Sequence, residues 1–435
     1  MNTNNQETLM QAISAIKAGN THFAEQLLQD LVDKGHSNPD ILAILGTVKM
    51  EMQQFNEALT LFDRVLEEQP ENLSTLYNKG RALQILGKLK EAEEVYEAIT
   101  QKAPSFPHAW NNLGLIYRET GRFEQARQAL EKAVALAPNE PYFLNNLGVI
   151  LEGMGRLDEA LKLFQQAVAL QKDYFSARFN LGCLLFRLGN TQEAERHLLW
   201  VLSVKEDEPT AKFLLQSLGH FQTPERAPTH YVKKTFDDCA AQFEEKLVKE
   251  LDYKTPEYLF DSIKKWLRSE SNILDLGCGT GLGAQYYRPY ARFLAGMDCS
   301  EKMLEKAREK AIYDALYQHD IAQPWPTKER FDVIYSADCL CYFGNLQTVF
   351  QRVWEALAPQ GIFGFSVEKA PEDEGTAQEG YRLGTSGRYA HRYDYVTGSL
   401  SDTGLVPLAH REVVLRKEGG QDVKGFIFIA QKDRS

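Results

Sequence analysis

At 435 residues the chain is too long for one ordinary hydrophobic core, so two or three domains are expected. Apolar residues make up 43% and charged residues 25%, the balance of a folded, soluble protein. Lysine plus arginine total 49 against 60 acidic residues, and a net charge of -11 argues against wholesale nucleic-acid binding. No apolar run approaches membrane-spanning length, and MNTNNQETLMQ has neither the basic nor the hydrophobic part of a secretory leader, so no membrane association and a cytoplasmic location are expected. The six cysteines, Cys183, Cys239, Cys278, Cys299, Cys339 and Cys341, form no Cys-x-x-Cys pair and read mostly as small buried groups. Cys339 and Cys341 would point the same way in an extended segment, but two thiols make no metal site, and none is expected.

The first half repeats at a period of 34. Small residues fall at Ala12, Gly46, Gly80, Gly114, Gly148 and Gly182, and alanines at Ala24, Ala58, Ala92, Ala126, Ala160 and Ala194. Six copies without a slip indicate tetratricopeptide repeats, each a pair of short helices whose small residues permit close packing. Pro70, Pro104 and Pro138 mark helix ends, since proline cannot continue an interior helical ladder. An all-α superhelix with a concave face follows, with Pro209 to Leu218 as capping helix and domain one ending near residue 219.

Asparagines recur in the same phase at Asn78, Asn112, Asn146 and Asn180. Such an array can satisfy the backbone of an extended protein or peptide partner, because each amide both donates and accepts. It resembles the asparagine ladder of the O-linked N-acetylglucosamine transferase superhelix. Asparagine is also frequent at that repeat position, so an architectural or homo-oligomerising solenoid is the alternative.

Residues 220–230 break the periodicity and read as a linker. From Tyr231 onward, short apolar runs alternate with helical patterns. Strands are expected at Asn272–Leu276, Phe293–Met297, Ala315–Gln318, Phe331–Tyr335 and Ile362–Val367, and a last pair, Glu412–Arg416 and Phe426–Ala430, flanks Gly419 and Gly420 as a hairpin. Helices are expected at Met303–Lys310, with Ser300 as N-cap, at Leu346–Leu357 and near Tyr393–Thr403. The count fits a seven-stranded α/β sheet over 231–435 whose ligands lie beyond the carboxyl ends of the strands.

The first of those strands runs into Gly277-Cys278-Gly279-Thr280-Gly281, with Asp275 two residues ahead of the first glycine and Asp298 ending the second strand. The Asp-x-Gly-x-Gly-x-Gly spacing differs from a dinucleotide-binding turn, and its leading acid suits a cationic ligand better than a pyrophosphate. At these residues the chain resembles the Rossmann-like class I S-adenosylmethionine-dependent methyltransferases, and more narrowly the bacterial proteins that join tetratricopeptide repeats to such a domain. The resemblance implies S-adenosylmethionine as cofactor. Asp275 would then face its methionine end, Gly277, Cys278, Gly279 and Gly281 would make room for it, and Asp298, with Cys299 and Met303 following, would accept from the ribose hydroxyls. Asp320 would accept from the adenine amino group with Ile321 beside the ring, and Ser336 would border the site. Tyr231 and Phe236 would belong to a helical lid.

Methyl transfer requires a nucleophile held in line with the methyl carbon, and a proton acceptor only if the nucleophile starts protonated. The fourth strand ends Ser336-Ala337-Asp338-Cys339 instead of in the asparagine-proline-proline-aromatic run associated with amide or adenine nitrogens, leaving carboxylate, hydroxyl, thiol and amine acceptors open. Asp338 is a candidate at the acceptor. The insert after the fifth strand, from Glu368 through Tyr381 to His391, is read as a glycine-punctuated loop through Gly375, Gly380, Gly384 and Gly387. Within it His391 is the general-base candidate and Arg388 the group to orient an acceptor carboxylate. The expected activity is methylation of a protein or peptide recruited by the repeats; the alternatives are a small-molecule O- or N-methyltransferase whose repeats serve assembly, and a non-catalytic S-adenosylmethionine-binding scaffold.

Overall fold

The structure is a computed structural model that describes residues 3–240, 243–245, 253–371, 380–418 and 421–433. Gly375, Gly419, Gly420 and the side chain of Cys239 lie outside the described residues. Contacts divide the chain into two compact units, Met1–Ala177 and Arg178–Ser435.

The first unit is built of helix pairs: Thr3–Lys17 with Thr21–Asp33, Pro39–Glu51 with Phe55–Glu68, Leu73–Ile85 with Leu89–Lys102, Pro107–Glu119 with Phe123–Leu136, and Pro141–Gly153 with Leu157–Leu170. Side chains cap two of the first helices, as Asn38 accepts from Ile41 N at 2.9 Å and Asn72 from Thr75 N at 3.1 Å. Four of the five pairs then turn on a left-handed glycine, such as Gly121 at φ 77°, and the second turns on Gln53 at φ 60°. The 34-residue series has a direct steric cause. A Cβ on Gly46 would lie 2.5 Å from the Phe62 ring, one on Gly80 2.8 Å from Tyr96, and one on Gly148 2.6 Å from Phe164. The residue sixteen positions later, on the second helix of the same repeat, occupies the space a side chain would need.

The asparagines do not form an open ladder. Asn112 and Asn146 are 9% and 6% exposed, and their amides are consumed by neighbours. Asn146 Nδ2 donates to Asn111 Oδ1 at 2.8 Å, Asn111 Nδ2 to Asn112 Oδ1 at 3.0 Å, and Asn112 Nδ2 to the Tyr96 hydroxyl at 3.0 Å. Asn78, half-buried, donates to Thr47 Oγ1 at 3.4 Å. The reason is packing: at this helix position the side chain faces the adjacent repeat, and a buried amide must be satisfied there. Asn180 falls in the second unit.

The division at 177/178 lies inside helix Phe175–Arg187, so this helix's later part, helix Thr191–Val204 and helix Pro209–Ser217 belong with the second unit. Phe213 on the last of these packs against Tyr231 with ring centroids 5.0 Å apart, and Thr210 shares a 2.8 Å hydrogen bond with His230. Residues 220–230 are correspondingly not a free tether, because several of them are bonded to the sheet domain.

The strands of that domain are β1 (Ser271–Leu276), β2 (Ala291–Asp298), β3 (Ala315–Gln318), β4 (Phe331–Ser336), β5 (Leu357–Lys369), β6 (Tyr381–Leu383), β7 (Tyr389–His391), β8 (Leu405–Glu418) and β9 (Gln421–Lys432). The order is β3-β2-β1-β4-β5, all parallel, with β9 antiparallel on β5 and β8 on β9. Strand alternation sends Leu274, Leu276 and Ile334 to one face under Val349, Phe350 and Val353 of helix Gln347–Ala356. Ile273, Val333 and Tyr335 go to the other, under Leu259 and Ile263 of helix Thr255–Ile263. Among the described residues the sheet has nine strands instead of seven, because the insert read as a loop contains β6 and β7. The cause is that β5 outlasts β4: their register ends at Ser336–Phe365, and the exposed edge at Glu368 and Lys369 pairs with Ala390 and His391. Among the described residues no helix is long and apolar enough to cross a membrane.

Candidate active site

The acids and glycines at the carboxyl ends of β1, β2 and β3 converge on one cavity, lined by Asp275, Gly277, Cys278, Gly279, Asp298, Cys299, Asp320 and Ile321. Gly277, at φ 75°, tolerates no side chain, since a Cβ there would meet Cys339 Sγ at 2.4 Å. Asp298 ties the glycine turn to β2: its Oδ2 accepts from Gly279 N at 2.9 Å and its Oδ1 from Ser300 N at 2.8 Å. Asp275 is 3% exposed, and its Oδ2 accepts from the hydroxyls of Tyr313 and Tyr335 at 2.6 and 2.7 Å. Burial raises its pKa to about 7, against the two phenol donors that lower it. Burial also raises Asp298, opposed by its backbone N–H donors.

Beyond β4 and β5 the cavity is lined by Phe236, Tyr253, Tyr342, Phe343, Asp338, Arg388 and Arg416. Asp338 sits at φ 59°, a left-handed conformation rare outside glycine and tolerated best by Asp and Asn, and its N–H donates to Ser366 Oγ at 2.8 Å. Arg416 is 2% exposed and bonds Asp338 and Glu368, while Arg388 bonds Glu418. Burial raises the Glu368 pKa, in spite of the two arginines that oppose it.

Five expected site residues lie elsewhere. Tyr231 turns to Phe213 instead of the cavity. Gly281 makes room for the Tyr313 ring, which a Cβ would meet at 2.8 Å. Met303 is fully buried on the core face of helix Glu301–Glu309. Ser336 is fully buried and donates to Leu276 O at 2.8 Å, fastening β4 to β1. His391 is the main correction. On β7 it is fully buried outside the cavity lining, and its Nε2 donates to Phe343 O at 2.8 Å and Gly344 O at 3.2 Å. Two carbonyl partners require the proton on Nε2, and burial lowers the pKa to about 4, so the ring is a neutral structural donor.

Residues absent from the expectations line the cavity or bond its acids: Arg226, Thr229, Tyr253, Tyr313, Tyr342 and Arg416; Tyr335, expected only at the strand end bordering the transferred methyl, also lines it and donates to Asp275. Arg416 had one usable signal, an arginine closing the apolar run Val413-Val414-Leu415; the others absent from the expectations had none, since their role depends on distant partners.

Residues 2–212 match the family model described as the cilia and flagella-associated protein 70 C-terminal domain, a tetratricopeptide-repeat model, and residues 274–365 match a methyltransferase domain. A malonyl-acyl-carrier-protein O-methyltransferase of Enterobacter lignolyticus is 29% identical over 99 residues, 23% of this chain and 39% of that protein. A trans-aconitate 2-methyltransferase of Paracidovorax citrulli is 33% identical over 105 residues, 23% of this chain and 40% of that protein. The match thus spans about two fifths of the length of these curated relatives. The solved structure of MamA from residue 41 to its end, from Desulfovibrio magneticus RS-1, is 25% identical, covers 40% of this chain and 98% of that one, and has a TM-score of 0.37. The chain joins a tetratricopeptide-repeat region to a class I S-adenosylmethionine-dependent methyltransferase domain.

Proposed function

We propose that the protein transfers a methyl group from S-adenosylmethionine to a carboxylate oxygen of a small-molecule acceptor, with repeat domain 1–219 serving partner binding or assembly. S-adenosylmethionine, when bound, supplies an electrophilic methyl group on a sulfonium. The cavity fits it: Asp275 and Asp298 are acceptors suited to ammonium and hydroxyl groups, and the glycine turn admits close backbone approach. In this reading Asp275 holds the methionine end, Asp298 the ribose and Asp320 the adenine amino group.

The observation that favours the carboxylate reading is Arg388 in the cavity lining; His391 is sealed away from the cavity, and the histidine that does line it, His319, adjoins Asp320 on the side assigned to the nucleoside. A carboxylate nucleophile has no proton to lose, so it needs no base, whereas it does need a cation to hold it in line. Arg388 would hold such a carboxylate toward the methyl group that bound S-adenosylmethionine would supply. Phe236, Tyr342 and Phe343 line the same side and exclude water. The acceptors named for the two relatives, a malonyl group on acyl-carrier protein and trans-aconitate, both carry the carboxylate of a small acid, which supports such a carboxylate over the protein or peptide acceptor expected first.

The test is transfer of a tritiated methyl group by the full chain into fractionated cell extract, followed by mild alkali. Methyl esters release volatile methanol, so label in the small-molecule fraction that becomes volatile is expected. Alkali-stable label sinks the ester assignment, and label confined to the protein fraction restores a protein acceptor.

A further inference from the structure

Helix Thr229–Cys239 has two occupied faces. Each residue lies about 100° further round a helix axis, so Thr229, Val232 and Phe236 share one side and His230, Tyr231 and Lys234 the other. The first three line the cavity. The second three meet the last helices of the repeat series. Thr210 and His230 share a 2.8 Å hydrogen bond, the Phe213 and Tyr231 ring centroids are 5.0 Å apart, and Lys234 Nζ lies 5.7 Å from the Phe179 ring centroid.

Tyr231 is seated in a corner. Its ring lies on Phe213, which is 1% exposed, and its hydroxyl lies against Gly387 in the turn between β6 and β7, where a Cβ would come within 2.9 Å of the hydroxyl oxygen. A ring held this way fixes the rotation of the helix about its axis, and that rotation decides whether Val232 and Phe236 face the cavity. Both ends of the helix are fastened as well. Just before it, Gly344 N donates to Glu225 O at 2.8 Å and Ala227 N to Tyr342 O at 2.9 Å. Near its end, Asp237 Oδ1 accepts from Ser300 Oγ at 2.6 Å, and Ser300 N donates to Asp298 Oδ1 at 2.8 Å. Resting on the cofactor reading above, we propose that Phe213 and Tyr231 are positioning residues of the methyltransferase site: the terminal repeat helices set the rotation of helix Thr229–Cys239, and through it the cavity wall against which S-adenosylmethionine binds. The last helices of the repeat series are then part of the cofactor site. Because coupling between two sites is reciprocal, an occupied cavity steadies helix Pro209–Ser217 in return.

The test is calorimetric titration of the full chain with S-adenosylhomocysteine, joined to amide exchange read by mass spectrometry. Phe213→Ala should weaken binding about tenfold, within the usual range of coupling between sites, and Phe213→Leu, which keeps an apolar body under Tyr231, should restore most of it. Phe62→Ala removes an equally buried ring, packed on Gly46 in the second repeat, and should leave affinity within about twofold while lowering the melting temperature. In wild type, saturation with S-adenosylhomocysteine should slow exchange in helix Pro209–Ser217, a readout that requires no variant to fold. Unchanged affinity in Phe213→Ala, equal weakening by Phe62→Ala, or exchange in Pro209–Ser217 indifferent to the ligand each overturn the positioning role. If wild type does not bind the compound, the cofactor reading fails first and this inference falls with it.

Discussion

Arg416 Nη1 lies 3.1 and 2.9 Å from the two carboxylate oxygens of Asp338, a residue 78 positions earlier, and its other terminal nitrogen bonds Glu368. The three side chains are 1%, 16% and 13% exposed, so water cannot replace a missing partner. Arg416→Met is therefore expected to cost about 3–5 kcal/mol, the penalty for leaving buried charge uncompensated. Denaturant unfolding of the full chain checks this. Adding Asp338→Asn and Glu368→Gln to that variant should recover part of the loss, and unchanged stability in the single variant would show that the cluster contributes nothing.

His391 predicts a pH dependence of stability. Its folded pKa is lowered to about 4 from 6.5, so as pH falls below about 6.5 the unfolded chain takes up a proton that the folded ring refuses. Stability from this group is complete above about pH 6.5 and is lost progressively down to about pH 4. His391→Gln, which keeps a donor for the Phe343 and Gly344 carbonyls, should flatten the melting temperature across that window. The pH profile of turnover should be the same in wild type and variant, and a lost near-neutral limb would return the imidazole to catalysis.

Asp275 predicts the opposite slope. Its pKa is raised to about 7 from 3.8, chiefly by burial, so between these values the folded state holds a proton that the unfolded state has released. Stability from this group is complete below about pH 4 and is lost as pH rises through about 7. Asp275→Asn keeps an oxygen acceptor for Tyr313 and Tyr335 and should flatten the scanning-calorimetry trend from pH 4 to pH 8. A variant with the wild-type slope would assign that slope to other groups.

In the repeat unit, Asn146→Ala leaves the Asn111 carbonyl buried without its 2.8 Å donor. The expected loss is about 1–3 kcal/mol, the cost of an unsatisfied buried polar group. It should appear as faster amide exchange in helices Pro107–Glu119 and Pro141–Gly153, read by mass spectrometry on the full chain. Exchange unchanged in both helices would mean that the amide chain does not join the repeats.

What the sequence determined by itself was whatever depends on local spacing. The 34-residue period follows from a contact made sixteen residues away within one repeat, as Gly46 meets Phe62, and so it is written along the chain. The strand pattern and the acids Asp275, Asp298 and Asp320 were likewise legible, since parallel strands deliver their carboxyl ends to one edge. Long-range burial decided the rest. No spacing shows that His391 extends the edge of β5 and disappears into the core, or that Asn146 faces Asn111 instead of a groove. Nor does it show that Arg226 reaches Asp320 across 94 positions, or that a register shift between Val414 and Arg416 accompanies an arginine buried against Asp338. A side chain's partner depends on which distant backbone lies beside it. That choice exists only once sheet and helices have packed, and with it the difference between a free functional group and a satisfied structural one.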